Sequence, residues 1–320
     1  VQAAMVTVSL VVGGIPLGVA GGAIAYQRHM EISQQVQAGI DPDHPGALAV
    51  LNGQASDWTK PPVPGPLSVT TEWATLAGVK CADDLAARID SENSSCRRLP
   101  SVSDTALRAV VVGDSHAAQN VIPTMRLLHE TDDWDITAYL KGGCAFGLPE
   151  YYKDSCRERN DVVLEQLERN PPDVVVLQTT ETSKDSSIEL LRPGIKKLVE
   201  QLTEEGITVI GFRDNPRSEK SLYECANAVG PQTLVGGCVF PKENAMAAED
   251  PAKFLEENPL FHQIDASDML CPDGVCGTII GDVFVYMDDN HISSTYSRTM
   301  APELAARIEG AMDLADGSGE

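Results

Sequence analysis

Basic residues are scarce in this chain. Lys and Arg number 24 against 47 Asp and Glu, a formal net charge of −23. That balance excludes a nucleic-acid partner, whose phosphates need a basic face. It equally argues against docking on anionic lipid through charge. Aromatic residues make up only 5% of the chain, but the apolar share of 42% is ordinary for a folded protein. No Cys-x-x-Cys pair occurs and histidines number six, which leaves little to build a zinc ribbon. No metal site and no bound cofactor are expected.

What the chain does have is eight cysteines: Cys81, Cys96, Cys144, Cys156, Cys225, Cys238, Cys271 and Cys276. An even count at short spacings fits disulfides in an oxidising compartment. Pairing of neighbours (81–96, 144–156, 225–238 and 271–276) would clip four loops, although sequence alone does not fix connectivity.

Residues 1–26 carry no charge and are rich in Val, Ala, Gly, Leu and Ile. Such a run is long enough to cross a bilayer, and its glycines and Pro16 are tolerated in a membrane helix. A signal peptide would need a basic leading region, which is missing. We therefore expect a transmembrane helix over 1–26, in a fragment of a longer membrane protein, with the remainder outside the cytoplasm. Residues 27–80 read as a juxtamembrane segment and linker. Within it, Pro61-Pro-Val-Pro-Gly-Pro66 is an extended spacer expected to hold the domain away from the membrane.

From about residue 70 apolar runs alternate with helical stretches. The pattern predicts strands at 107–112, 135–140, 173–177, 207–212 and 284–287. It predicts helices at 116–130, 158–169, 187–205 and 294–312, with an interruption at Pro123, a C-cap at Gly206 and a flexible tail over 313–320. Alternation of this kind means an α/β fold, a parallel sheet between two helical layers. Sites in such folds gather outside the carboxyl ends of strands.

Two motifs fall there. Gly113-Asp-Ser-His116 follows the first predicted strand, and Asp288-Asp-Asn-His291 follows the last. Serine needs a base to take its proton, and the base needs a partner to orient it. Ser115, His291 and Asp288 supply those three roles. Ser115 as a plain helix N-cap and Asp289 as the orienting carboxylate are the alternatives. For the oxyanion the candidates are the Ser115 backbone N–H and Gly142 or Gly143 after the second strand. Gln178 and Thr179 after the third strand, and Arg213 in Arg213-Asp-Asn-Pro216, are further pocket candidates. A simple turn explains the glycines and the Arg213 stretch equally well.

The two motifs resemble blocks one and five of the SGNH hydrolase superfamily. With Arg213-Asp-Asn-Pro216, Leu270-Cys-Pro-Asp-Gly-Val-Cys276 and Val285–Tyr296, residues 81–312 are similar to the SGNH domain fused to membrane acyltransferase-3 proteins of the actinobacterial type. The resemblance implies a flavodoxin-like three-layer sandwich and a membrane-anchored, extracytoplasmic O-acyltransferase. Its implied partners are an acyltransferase-3 domain on the same polypeptide, drawing ultimately on acetyl-CoA, and an envelope glycan or glycolipid acceptor. A carbohydrate acetyl esterase has the same triad, and a glycan-binding module without chemistry is a third class. The superfamily's usual glycine and asparagine oxyanion blocks are not clear in this sequence.

Overall fold

In the computed structural model the described residues are 40–53, 60–65, 67–82, 85, 88–89, 94–184, 186–229 and 238–317. The membrane helix expected over 1–26 lies outside them. Among the described residues no helix is long and apolar enough to cross a membrane.

Seven strands form the central sheet: β1 (Val79–Lys80), β2 (Ser94–Leu99), β3 (Arg108–Gly113), β4 (Asp135–Lys141), β5 (Val174–Gln178), β6 (Thr208–Phe212) and β7 (Phe261–Ile264). Their spatial order is β1-β2-β4-β3-β5-β6-β7. The five strands from β4 to β7 run parallel, and β2 and β1 add an antiparallel edge. The parallel part has the flavodoxin-like order, in which the chain leaves the first strand to one side and returns on the other. That switch point lies at the carboxyl end of β3.

Helices α1 (Ser115–Asp132) and α4 (Ser294–Gly317) pack on one face of the sheet, and α2 (Asp154–Arg169) and α3 (Ile195–Glu204) on the other. The strand pleat sorts the side chains between the two cores. Ala109, Val111, Val174 and Val176 point to the α1/α4 side, while Val110, Val112, Val175 and Leu177 point to the α2/α3 side. Both layers being apolar, β3 and β5 read as unbroken hydrophobic runs, as buried parallel strands do.

Several expectations are corrected. The fifth parallel strand is β7, not 284–287. Val283–Phe284 instead pairs antiparallel with Ile279–Ile280 in a separate two-stranded ladder. Phe284, Val285, Tyr286 and Met287 are all buried, and an apolar run signals burial before it signals a ladder. The helix expected over 187–205 begins only at Ile195. Glu189–Leu191 forms a hairpin with Thr180–Thr182, and Pro193-Gly194 separates the two elements. Gly206, at φ 79°, lies just past the end of α3 as expected. Helix α1 continues through Pro123, and α4 runs on to Gly317. The proline-rich stretch does not stand off from the domain: Val63 N–H donates to Asp282 O at 3.0 Å, and Phe284 N–H to Val63 O at 2.8 Å.

All eight cysteines are paired, in the sequential pattern. Cys144–Cys156 ties the loop after β4 to the start of α2. Opening that link by Cys144→Ser with Cys156→Ser is expected to lower unfolding free energy by about 2–4 kcal/mol, read from the denaturant midpoint. Peptide mapping without reduction is expected to return the same four pairs.

Candidate active site

The strand–helix junction at the switch point is set by local chemistry. Gly113 ends β3 where a Cβ would overlap the Cβ of Ala117, so the helix sits close above the strand end. Asp114 caps the helix: its Oδ1 accepts the N–H groups of His116 (2.9 Å) and Ala117 (3.3 Å). Its Oδ2 accepts from the buried Arg192 guanidinium at 3.0 Å. The cap role considered for Ser115 thus belongs to Asp114. Ser115 is the first helical residue, and its N–H belongs to the unsatisfied, electropositive helix N-terminus.

Ser115 Oγ lies 3.0 Å from Nε2 of His291, and His291 Nδ1 lies 2.7 Å from Oδ2 of Asp288. Oδ1 of Asp288 accepts the backbone N–H groups of Asn290 (2.8 Å) and His291 (2.7 Å), which folds the loop so that carboxylate and imidazole face each other. Burial would push the Asp288 carboxyl toward its neutral form. The hydrogen bonds from the His291 side chain and from the two backbone N–H groups outweigh this and hold its pKa below the usual carboxylate value. Asp289 faces elsewhere: its carboxylate meets Lys184 at 3.2 Å and the Asn290 amide at 2.6 Å.

The loop carrying Asp288 and His291 is held by groups the motif reading passed over. His116 is buried, and both of its ring nitrogens face oxygen. Nδ1 meets Asp214 Oδ1 at 2.8 Å and Asn215 Oδ1 at 2.9 Å, and Nε2 meets Asn290 Oδ1 at 3.0 Å. The Asn290 amide nitrogen is taken by Asp289 and that of Asn215 by two backbone carbonyls, so their oxygens face the ring. A ring with three oxygen neighbours favours the doubly protonated imidazolium. Burial disfavours that charge, but the Asp214 carboxylate prevails and raises the His116 pKa. His116 was inside the Gly-Asp-Ser-His block and Asp214–Asn215 inside Arg213-Asp-Asn-Pro216. Nothing in their spacing said that they would converge.

Gln119 is a second missed residue. It is fully buried on α1. Its amide nitrogen donates to the carbonyls of Ile292 and Glu72, and its oxygen accepts Ala74 N–H at 2.5 Å. It thereby joins the segment around Trp73 to the loop of His291. The Trp73 and His291 rings meet edge-to-face, with centroids 4.8 Å apart.

Ser115 and His291 open on a cleft of about 610 Å³ that is also lined by Trp73, Ser95, Arg97 and Gly142. Gly142 precedes Gly143 in a turn closed by Cys144 N–H to Lys141 O, and Gly143 takes the left-handed φ of 69° that the turn demands. Gln178, Thr179 and Arg213 are not in this cleft. Gln178 donates to Thr180 O, and Thr179 pairs with Gln263 and Phe212 O. Arg213 is buried: burial opposes its charge, but ion pairs with Glu189 (2.6 Å) and Asp265 (2.8 Å) raise its pKa. Polar residues after buried strands here satisfy buried neighbours instead of lining a pocket. Among the described residues no three His, Cys, Asp or Glu side chains converge as metal ligands would.

A three-layer sandwich with Gly-Asp-Ser at the switch point defines an SGNH-type fold. A family model described as an SGNH domain fused to AT3 domains matches residues 80–306, more than half of the chain, and the chain belongs to that family. Among solved structures it is similar to the periplasmic domain of a lipopolysaccharide acetyltransferase from Salmonella ser. Paratyphi A. Identity is 17% and the TM-score 0.47, over 65% of this chain and 85% of that one. No match is found among curated proteins.

The His116 charge has a testable consequence. Its folded pKa is raised, so its contribution to stability is complete below the unfolded value of about 6.5. That contribution is lost as pH rises through the folded value. The urea midpoint is expected to fall over this window, and His116→Gln is expected to lack that fall.

Proposed function

We propose that the chain is the extracytoplasmic catalytic part of an O-acyltransferase, which moves an acyl group, in the first instance acetyl, through an ester on Ser115 to a hydroxyl of a cell-envelope glycan or glycolipid. The observation that carries the proposal is the unbroken run of short contacts from Ser115 Oγ to His291 to Asp288 at the mouth of an open cleft. Membership of a family of SGNH domains fused to AT3 domains supports a donor domain on the same polypeptide. In this reading that domain draws on acetyl-CoA, and the apolar run at 1–26 belongs to it. Four disulfides support a place outside the cytoplasm.

In this mechanism His291 Nε2 removes the Ser115 proton as Oγ attacks the donor's acyl carbon. Asp288 keeps Nδ1–H pointed away from the serine and steadies the imidazolium that forms. The Ser115 N–H at the start of α1, with the loop at Gly142, receives the oxyanion. His291 then returns the proton to the leaving group, which leaves an ester on Ser115. In the second half His291 takes the proton of a sugar hydroxyl, that oxygen attacks the ester carbon, and the proton passes back to Ser115 Oγ. Every proton removed is restored, so no further reactant is needed. Water in place of the sugar gives the esterase reaction through the same groups.

Ser115→Ala is expected to lower cleavage of p-nitrophenyl acetate by at least about a thousandfold, measured as nitrophenol release; near-normal release would end the proposal. Asp288→Asn is expected to lose up to about ten-thousandfold in kcat, because the histidine then takes the wrong tautomer. Transfer is read by mass spectrometry of glycans incubated with acetyl donor. Free acetate alone with every acceptor would favour the esterase.

A further inference from the structure

The half-exposed indole beside His291 has no role in the chemistry above. Trp73 keeps 48% of its surface exposed while the backbone on both sides of it is pinned. The Glu72 carboxylate accepts Thr295 N–H (2.9 Å) and Thr295 Oγ1–H (2.6 Å). The Glu72 carbonyl accepts Ser294 N–H (3.0 Å) and the Gln119 amide (3.1 Å), and Ala74 N–H reaches back to Gln119. Leaving a large apolar surface in water is unfavourable, and a flexible exposed tryptophan would need no such fastening. Here a half-exposed side chain is fixed at the edge of the proposed reactive centre, between the cleft of Ser115 and a neighbouring one lined by Ile122 and Arg298.

We infer that Trp73 is the platform on which a pyranose ring of the acceptor stacks, so that the cleft selects cyclic sugar hydroxyls over acyclic alcohols. The inference rests on the acyl-transfer reading and names the acceptor chemistry within it. One face of a pyranose presents axial C–H bonds, weakly positive and apolar, while its hydroxyls project around the rim. An indole face is apolar and carries the negative side of a quadrupole, which suits that face. The hydroxyls then need polar neighbours, and Ser95 and Arg97 line the same cleft. With ring centroids 4.8 Å apart, a sugar lying on the indole has its hydroxyls beside the imidazole that must deprotonate one of them. An acyclic polyol offers the same hydroxyls without the face and gains nothing from the tryptophan.

The test uses the full chain, p-nitrophenyl acetate as donor, and either methyl α-glucopyranoside or sorbitol as acceptor at equal hydroxyl concentration. The ratio of acetyl transfer to hydrolysis is read by mass spectrometry and acetate release. The wild type is expected to favour the pyranoside by about three- to tenfold, the range an aromatic contact gives. Trp73→Ala is expected to erase that preference while lowering hydrolysis far less than transfer, and Trp73→Phe to keep most of it. Equal partitioning to both alcohols in the wild type would overturn the inference. So would a preference that survives Trp73→Ala, or a loss of hydrolysis as deep as the loss of transfer, which would make Trp73 a support for His291. Ester cleavage that persists in Ser115→Ala is a separate failure, that of the underlying reading.

Discussion

The loop Asp288–His291 belongs to no named strand, and two consecutive residues of another element help to position it. Ser115 and His116 open helix α1, and each meets the loop from a different side. Ser115 reaches His291 at 3.0 Å, and His116 reaches Asn290 at 3.0 Å. Helix geometry turns successive side chains by about 100°, so neighbours in sequence grip neighbours in the loop without colliding. The Asp114 cap fixes where that helix starts. One strand–helix junction therefore sets both the proposed nucleophile and the clamp on the loop that carries its base.

The clamp is built from charges that are expensive to bury. His116 with Asp214, Arg192 with Asp114, and Arg213 with Glu189 are all pairs of low exposure. A buried ion pair returns little net stability against apolar packing, but breaking one strands its partner and is strongly unfavourable. Such pairs penalise alternative arrangements more than they favour the native one. That suits the ends of parallel strands, where hydrophobic packing alone would accept small displacements and the short contacts from Ser115 to His291 to Asp288 would not. Arg159, beneath the loop after β4, is a buried cation held by backbone carbonyls. Burial draws its pKa down to about 10, and its guanidinium pins the carbonyls of Gly113 and Cys144. With the Cys144–Cys156 link, this holds the Gly142 turn against the end of β3.

How much of this could be read from the sequence follows from the range of each interaction. The buried strands β3, β5 and β6 announced themselves through continuous apolar runs, because both of their faces are covered. Strands β2, next to one edge, and β7, at the other edge, did not. β2 reads Ser-Ser-Cys-Arg-Arg-Leu and β7 reads Phe-His-Gln-Ile, since a strand covered on one side only has no need of a full hydrophobic pattern. The buried run at 284–287 misled for the converse reason, and the hairpin at 180–191 was hidden in a stretch that Pro193 should have divided. At the site, Asp288 and His291 were legible because they lie three residues apart and contact each other locally. His116, Gln119, Asp214 and Asn290 come from four places in the chain, and their roles exist only once the sheet has brought them together. Gln178, Thr179 and Arg213 show the same limit in reverse: strand-end positions were right for a pocket, but their partners made them structural.

The segment before the region matched by the family model shapes the cleft. Residues 73–76 line the same cleft as Ser115 and His291. With the segment docked, an indole and its pinned backbone wall off one side of the cleft. Water is small and gains nothing from a shaped wall, whereas an acceptor that fits it gains affinity and orientation. Under the proposed acyl transfer, the balance between transfer and hydrolysis is then a matter of how well the acceptor occupies the wall beside His291, since the proposed triad treats both nucleophiles alike. In that proposal acceptor selectivity lies in a stretch joined to the Asp288–His291 loop through one fully buried glutamine, Gln119, on the helix that begins with Ser115.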